Sequence, residues 1–308
     1  TLDPKTSAYT FVKNLRRNRG CNTAIGYSTS YNRFGLKIGV EEFYRLHPSF
    51  NATGSHTLRF SCSNPNGQNI SKLSEANLRY MFGPRVGREW WSLDFSNLEL
   101  TIPAYECNEE EMIQLFERPN DPPYFGSQHL LISHILYPKE FEACLIKGES
   151  FKDKYKDTLY QWTKNGDFAV TYGAMEEYGT ADAAYHLPGA HRRIKERLKN
   201  LTKLGDYYTE FAQQNGFVWT MVDKEVGGAY PIQAGMDDYG RVRPTTCLNY
   251  HVQGSAMWAM CKAMDRVGEY LDSLGIGAFI TLQVHDELVI DLPVAKPGKS
   301  NLPIIMEV

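Results

Sequence analysis

The chain has 308 residues, enough for about two domains or one multi-part domain with a large core, and its 33 Lys and Arg nearly balance its 36 Asp and Glu, leaving a formal net charge of −3. That balance excludes a uniformly basic nucleic-acid coat, although a basic groove does not require a basic average. The six cysteines lack Cys-x-x-Cys spacing, no run reaches the roughly 18 apolar residues of a membrane span, and no basic-then-apolar signal opens the chain, so a reduced, soluble, intracellular protein with no membrane partner is expected.

In chain order, the first feature is the basic cluster Lys13-Asn14-Leu15-Arg16-Arg17-Asn18-Arg19. Trp91 to Leu100 then places Asp94 at the end of an apolar, aromatic segment, with Glu99 five residues on. Asn108-Glu109-Glu110-Glu111 reads as a helix start of capping-box type, continued by Met112, Leu115 and Phe116 until Pro119. Between Leu159 and Gly173, Lys164, Phe168 and Tyr172 stand at i, i+4 and i+8 and share one helical face. A cation followed by two aromatics can hold a triphosphate at one end and stack on a base at the other. Ile194, Leu198, Leu201, Leu204, Tyr208 and Phe211 predict one long helix stopping near Gly216. Its basic run, from Arg192 to Lys203, reads as a solvated face ahead of a DNA-facing one. Gln253 to Leu271 predicts another helix, with Met257, Met260, Cys261, Met264, Val267 and Leu271 as a core stripe.

The last predicted element is a hairpin. Phe279, Thr281 and Gln283 alternate with Ile280, Leu282 and Val284, and strand-forming residues resume at Leu288, Val289 and Ile290. His285-Asp286 falls where the chain must reverse, which aims the aspartate toward a carboxylate on a neighbouring strand. Alone, an acidic pair after a strand is a solvated turn. Beside Asp94, it forms a set of hard oxygen donors suited to Mg²⁺. Two such ions about 3.5–4 Å apart serve in-line displacement at phosphorus, so phosphoryl transfer is the expected chemistry.

Taken together and in this order, these motifs resemble the polymerase module of family A (DNA polymerase I-like) DNA polymerases. The resemblance covers residues 45 to 292 and rests on Asp94 and Glu99, on Lys164, Phe168, Tyr172 and Gly173, and on His285-Asp286-Glu287. Two further segments carry it: Thr53-Gly54 with Leu58 to Ile70, and Asn249 to Ala256. It implies an α+β right-hand fold with an antiparallel palm sheet and mainly helical fingers. The implied division is a thumb base at 1–49, palm at 50–109 and 242–308, and fingers at 110–241. It also implies addition of deoxynucleotides to a primer 3′-hydroxyl by a monomer, with primer-template DNA and deoxynucleoside triphosphates as partners and two Mg²⁺ ions as cofactor.

By the same resemblance Asp94 and Asp286 hold the metals, Glu287 supports them, and Lys164 neutralises the triphosphate. Phe168, Tyr172 and His129 contact the nucleotide, and Glu99 lies beneath its sugar and selects against a ribose 2′-hydroxyl. Arg59, Gln68, Asn69, Asn249, Gln253 and His285 position primer and template without reading sequence. Tyr160 stands where most members have an arginine that grips the triphosphate, Thr101 replaces another common arginine, and Ala169 a common glycine. Lys156 is the candidate substitute for the first. The chain stops at Val308, earlier than family members usually do, so a fragment or a shortened polymerase without proofreading or 5′-nuclease residues is expected. Two rivals are a polymerase-shaped DNA-binding module without catalysis and a two-metal nuclease, the second of which leaves the Lys164-Phe168-Tyr172 face unexplained.

Overall fold

The computed structural model describes residues 6–37, 44–52, 54–70, 78–171, 185–222, 228–237 and 239–308. Two compact units divide the chain: one comprises Thr1–Ser55, Arg59–Asp94 and Cys261–Val308, the other His56–Leu58 and Phe95–Met260. The first opens with α1 (Ser7–Phe34), β1 (Leu36–Lys37), β2 (Tyr44–Arg45), β3 (Ser49–Asn51), β4 (Ser61–Ser63) and β5 (Arg88–Asp94). Next come α2 (Leu98–Glu106), α3 (Glu110–Glu117), α4 (Gln128–Leu136), α5 (Pro138–Lys147), α6 (Phe151–Lys154), α7 (Leu159–Thr171), α8 (Ala190–Arg197) and α9 (Lys199–Asn215). The strands β6 (Phe217–Trp219) and β7 (Pro231–Gln233) precede α10 (Pro244–Ser273), whose last turns join the first unit, and β8 (Phe279–Val284), β9 (Glu287–Pro293) and α11 (Leu302–Glu307) complete the chain. Antiparallel sheets combined with a largely helical second unit make the fold α+β, as expected.

An antiparallel sheet of order β5-β9-β8 organises the first unit. Opposite residues of an antiparallel pair share a face, and the register sets Trp91 against Ile290 and Leu93 against Leu288. Ile290 and Leu292 are fully buried on this apolar face. The other face carries Arg88, Trp90, Ser92 and Asp94 on β5, with Asp291, Val289 and Glu287 opposite. Asp291 is buried there at 4% exposure, ion-paired to Arg88 Nε and accepting from Trp90 Nε1 at 2.8 Å. Such pairing is what lets a carboxylate sit inside a sheet.

The simple alternation expected along β8 is corrected by a bulge. The register jumps between Ile280 and Leu282, so Gln283 shares a face with Ile280 while Leu282 and Val284 turn to the other. That shift puts Gln283 inside, 3% exposed, where a polar side chain needs partners. Its carboxamide accepts from Gln68 Nε2 at 2.9 Å and donates to the His285 carbonyl. On α1, Tyr31 is also buried: its hydroxyl donates to the Asn66 carbonyl at 3.1 Å and its ring meets Phe82 edge-on.

In the second unit the helices enclose one apolar core that includes Met112, Leu131, Ile132, Phe141, Ile194 and Leu248, each nearly or fully buried. Two sequence expectations are corrected here. The helix expected to start at Asn108 begins at Glu110, with Glu109 in the cap position and no capping bond from its side chain. The carboxylate of Glu109 instead accepts from the backbone N–H groups of Asn200 at 3.0 Å and Leu201 at 3.3 Å. This explains the second correction: the predicted long helix is two helices, α8 and α9, broken at Leu198, whose backbone leaves the helical region at φ −99 and ψ 65. Leu198 itself is buried, so the core holds the break while Glu109 satisfies the first N–H groups of α9. Gly216, left-handed at φ 79, ends α9 as expected. Along α10, Met257, Met260, Val267 and Leu271 are buried, and Cys261 and Met264 half-buried.

Candidate functional site

The first unit brings three of the expected acidic residues to one end of its sheet. Asp94 ends β5, is exposed, and lies directly opposite Glu287, the first residue of β9. Glu287 in turn pairs with Val284 across the β8-β9 turn that bears His285 and Asp286. His285 is exposed and takes a left-handed backbone, φ 59, which lets a tight turn present Asp286 at the sheet end. The Asp286 side chain is half-buried.

Glu287 differs from its neighbours. It is 7% exposed, its Oε1 accepts from Ser92 Oγ at 2.5 Å, and its Oε2 lies 3.5 Å from Arg79. Both partners went unnoticed in the sequence: Ser92 is one polar residue in an aromatic run, and Arg79 lies in a 3-10 turn, Leu78–Met81, with no periodic signal. Among the residues expected to contact DNA, Arg59 is half-buried before β4, Asn69 is exposed, and Gln68 is buried and bonded to Gln283. Gln68 therefore braces the hairpin from inside, a role its motif did not suggest.

The second unit carries the remaining candidates. Glu99 is half-buried in the first turn of α2, whose entry is Asn97 in the left-handed region, φ 54. Lys164 is exposed on α7, and Phe168 follows one turn later on the same helix. Tyr172 and Gly173 lie outside the described residues. His129, half-buried in the first turn of α4, meets the Tyr160 ring edge-on at 6.2 Å. Tyr160 is itself 8% exposed, so the position that usually supplies an arginine here packs into the core, while Lys156 is exposed before α7. Asn249 and Gln253 stand one turn apart on α10, both half-buried.

The acidic residues that this end of the sheet leaves open to water are Asp94 and Asp286. Among the described residues no group of three or more His, Cys, Asp or Glu side chains converges. Asp94 and Asp286 offer oxygen atoms with access to water, the arrangement Mg²⁺ takes when it keeps several waters and binds substrate phosphates. No helix among the described residues is long and apolar enough to cross a membrane.

Comparison with known proteins identifies the family. The family model for DNA polymerase family A matches residues 12–134 and 141–301. A DNA polymerase I of Caldicellulosiruptor bescii is 30% identical over 257 residues, covering 81% of this chain and 28% of that protein. The DNA polymerase I of Bacillus subtilis is 24% identical over 309 residues, covering 94% of this chain and 33% of that one. The chain thus spans about a third or less of the curated relatives it matches. Among solved structures, the POL domain of Pol1 from M. smegmatis, in complex with DNA primer-template and dNTP, superposes with a TM-score of 0.75 at 20% identity, covering 99% of this chain and 50% of that one.

Proposed function

The chain belongs to DNA polymerase family A, and from that premise we propose that it performs template-directed DNA synthesis, adding deoxynucleotides to a primer 3′-hydroxyl with release of pyrophosphate. One observation carries this reading: the register that sets Asp94 opposite Glu287, beside the turn bearing Asp286. In this reading the three-stranded sheet is the palm and the helical stretch 110–241 the fingers. Asp94 and Asp286 would hold two Mg²⁺ ions. When bound, these supply Lewis acidity that lowers the pKa of the primer hydroxyl and neutralise charge on the triphosphate.

The remaining tasks fall to the chain's own side chains. Lys164, exposed at the end of a four-carbon stem, supplies positive charge to the triphosphate and a proton to the departing pyrophosphate. Phe168 and Tyr172 pack on the sugar and base, and His129 assists at the phosphates. Glu99 closes the space a ribose 2′-hydroxyl would need. Arg59, Asn69, Asn249, Gln253 and His285 hold primer and template by hydrogen bonds that position and do not read sequence. With Tyr160 buried, the arginine grip on the triphosphate is replaced by some other cation, and Lys156 is the nearest candidate in sequence.

The test is extension of a labelled primer on a DNA template with Mg²⁺ and either deoxy- or ribonucleotides. Growth with deoxynucleotides only, reduced at least about a thousandfold by Asp94→Ala or Asp286→Ala, is expected, since several kcal/mol of charge stabilisation is at stake. DNA binding without growth would move the reading to a primer-template binding module.

A further inference from the structure

One buried polar cluster in the second unit has no part in the roles above. His251, on α10 between Asn249 and Gln253, is 0% exposed. Its Nδ1 lies 2.6 Å from the Trp219 carbonyl and its Nε2 2.6 Å from Glu106 Oε2. A neutral imidazole has one N–H, so two acceptors require either an imidazolium against a carboxylate or a proton carried by Glu106. Tyr208 completes the cluster, donating its hydroxyl to Glu106 Oε1 at 2.6 Å and stacking on His251 with ring centroids 4.2 Å apart. One turn along α10, Ser255 Oγ accepts from the Met221 N–H at 2.7 Å and donates to the His251 carbonyl at 2.6 Å. His251 and Ser255 therefore pin one side of α10 to the end of β6 and to α2.

The other side of α10 is the one that matters for template. Residues two apart on a helix point in nearly opposite directions, because each advances about 100°, so Asn249 and Gln253 face away from the His251-Ser255 row. On α2, Glu106 stands seven residues, close to two turns, after Glu99 and shares its face. The Glu106 edge opens on a cavity of about 840 Å³ walled by Tyr105, Tyr207, Phe211 and Trp219. If α2 slid against α10, a carboxylate and an imidazole would be left with broken bonds in largely apolar surroundings, which is costly. Burial would raise the Glu106 carboxyl, but the hydrogen bond and charge of His251, and then Tyr208, outweigh it and hold its pKa below the usual value.

We propose that His251 is a positioning residue: through Glu106 it ties α10 to α2 and so fixes the template-facing Asn249 and Gln253 relative to Glu99, the carboxylate that checks the sugar. The proposal rests on the polymerase reading and adds the His251–Glu106 pair, two side chains to which no role is given above. His251→Phe keeps an aromatic ring to stack on Tyr208 but removes both ring nitrogens and with them the bonds to Trp219 and Glu106. Glu106→Gln keeps an acceptor for Tyr208 and gives Nε2 of a neutral ring a donor.

Steady-state extension by the full chain, with deoxy- and ribonucleotides, is measured for the parent and both variants, alongside thermal unfolding of each. His251→Phe is expected to lower kcat/KM for the correct deoxynucleotide by about tenfold to a hundredfold, the scale set by small misplacements near a reacting centre. It should also narrow the deoxy-to-ribo ratio, whereas Glu106→Gln, which keeps a hydrogen-bonded link to Nε2, should retain most of both. A His251→Phe protein with a lowered Tm but parental kcat/KM and ratio would overturn the proposal, because a purely structural residue moves only the first. If the parent chain itself fails to extend primers, the polymerase reading fails separately. The clamp is then judged by primer-template affinity: several-fold weaker binding by His251→Phe supports it, and unchanged binding refutes it.

Discussion

Glu109→Ala tests whether a distant carboxylate, and not local sequence, sets the break between α8 and α9. Glu109 is 8% exposed and accepts from two N–H groups at the start of α9. Losing an N-terminal cap costs about 1 kcal/mol, up to 2, and removing a negative charge from a partly buried helix N-terminus adds up to about 1 kcal/mol. Water can replace the acceptor at half-buried Asn200, but Leu201 is 5% exposed and its N–H is harder to satisfy. The sum is a destabilisation of about 2 kcal/mol. Glu109→Gln keeps an acceptor oxygen and loses only the charge, so about 1 kcal/mol or less is expected. Urea unfolding followed by far-UV dichroism would give both values at constant m. If Glu109→Ala lies within about 0.5 kcal/mol of the parent, the range of a neutral surface change, or if the glutamine variant is as unstable as alanine, capping is the wrong explanation for the break.

Other outcomes follow from the same contacts. Met112 is 0% exposed in the core of the second unit, so Met112→Ala should cost about 2–5 kcal/mol in the same unfolding experiment. Glu99→Ala should raise ribonucleotide incorporation relative to deoxynucleotide incorporation, read from parallel single-nucleotide extension time courses; an unchanged ratio would remove Glu99 from sugar selection. The acid limb of stability should depend on Glu106, which faces His251 and Tyr208. Its pKa in the folded chain is held below the ordinary carboxylate value, so its contribution is present above that ordinary value and disappears as pH falls through the folded pKa. Urea midpoints of the parent and Glu106→Gln should therefore converge as pH is lowered through and below the carboxylate range, and a gap that widened toward acid would contradict the sign.

What the sequence made legible was local. The hairpin could be read because strand alternation and a turn lie within a dozen residues, and Asp94 because it closes an aromatic strand. The motif order then implied the family without any spatial information. The missed features join distant residues: Gln68 meets Gln283 across 215 positions, Arg79 meets Glu287 across 208, and Glu106 meets His251 across 145. No periodicity encodes such pairs. The bulge at β8 was hidden for a related reason, since Thr281 and Leu282 fit a strand equally well on either face and only the register with β9 decides. Leu198 misled because its apolar side chain kept the helical spacing while its backbone left the helix.

The contrast between Glu287 and its acidic neighbours leads to a last prediction about which carboxylates meet the ligand. Both oxygens of Glu287 already have protein partners, Ser92 on one and Arg79 on the other, and the side chain is buried. A carboxylate so engaged is oriented by its partners and costs energy to redirect. Asp94 is exposed and Asp286 half-buried, and both stand at the end of the sheet where water reaches them. Glu287→Gln keeps an oxygen to accept from Ser92 but offers Arg79 an amide instead of an anion. Extension should then fall by about tenfold to a hundredfold, the range seen when a group supporting a metal ligand is altered, against a thousandfold or more for either aspartate. Ser92→Ala should reproduce part of the Glu287→Gln loss, because it frees the same carboxylate to rotate. A Glu287→Gln enzyme as inactive as Asp286→Ala, with Ser92→Ala fully active, would instead make Glu287 a direct ligand and its hydrogen bonds incidental.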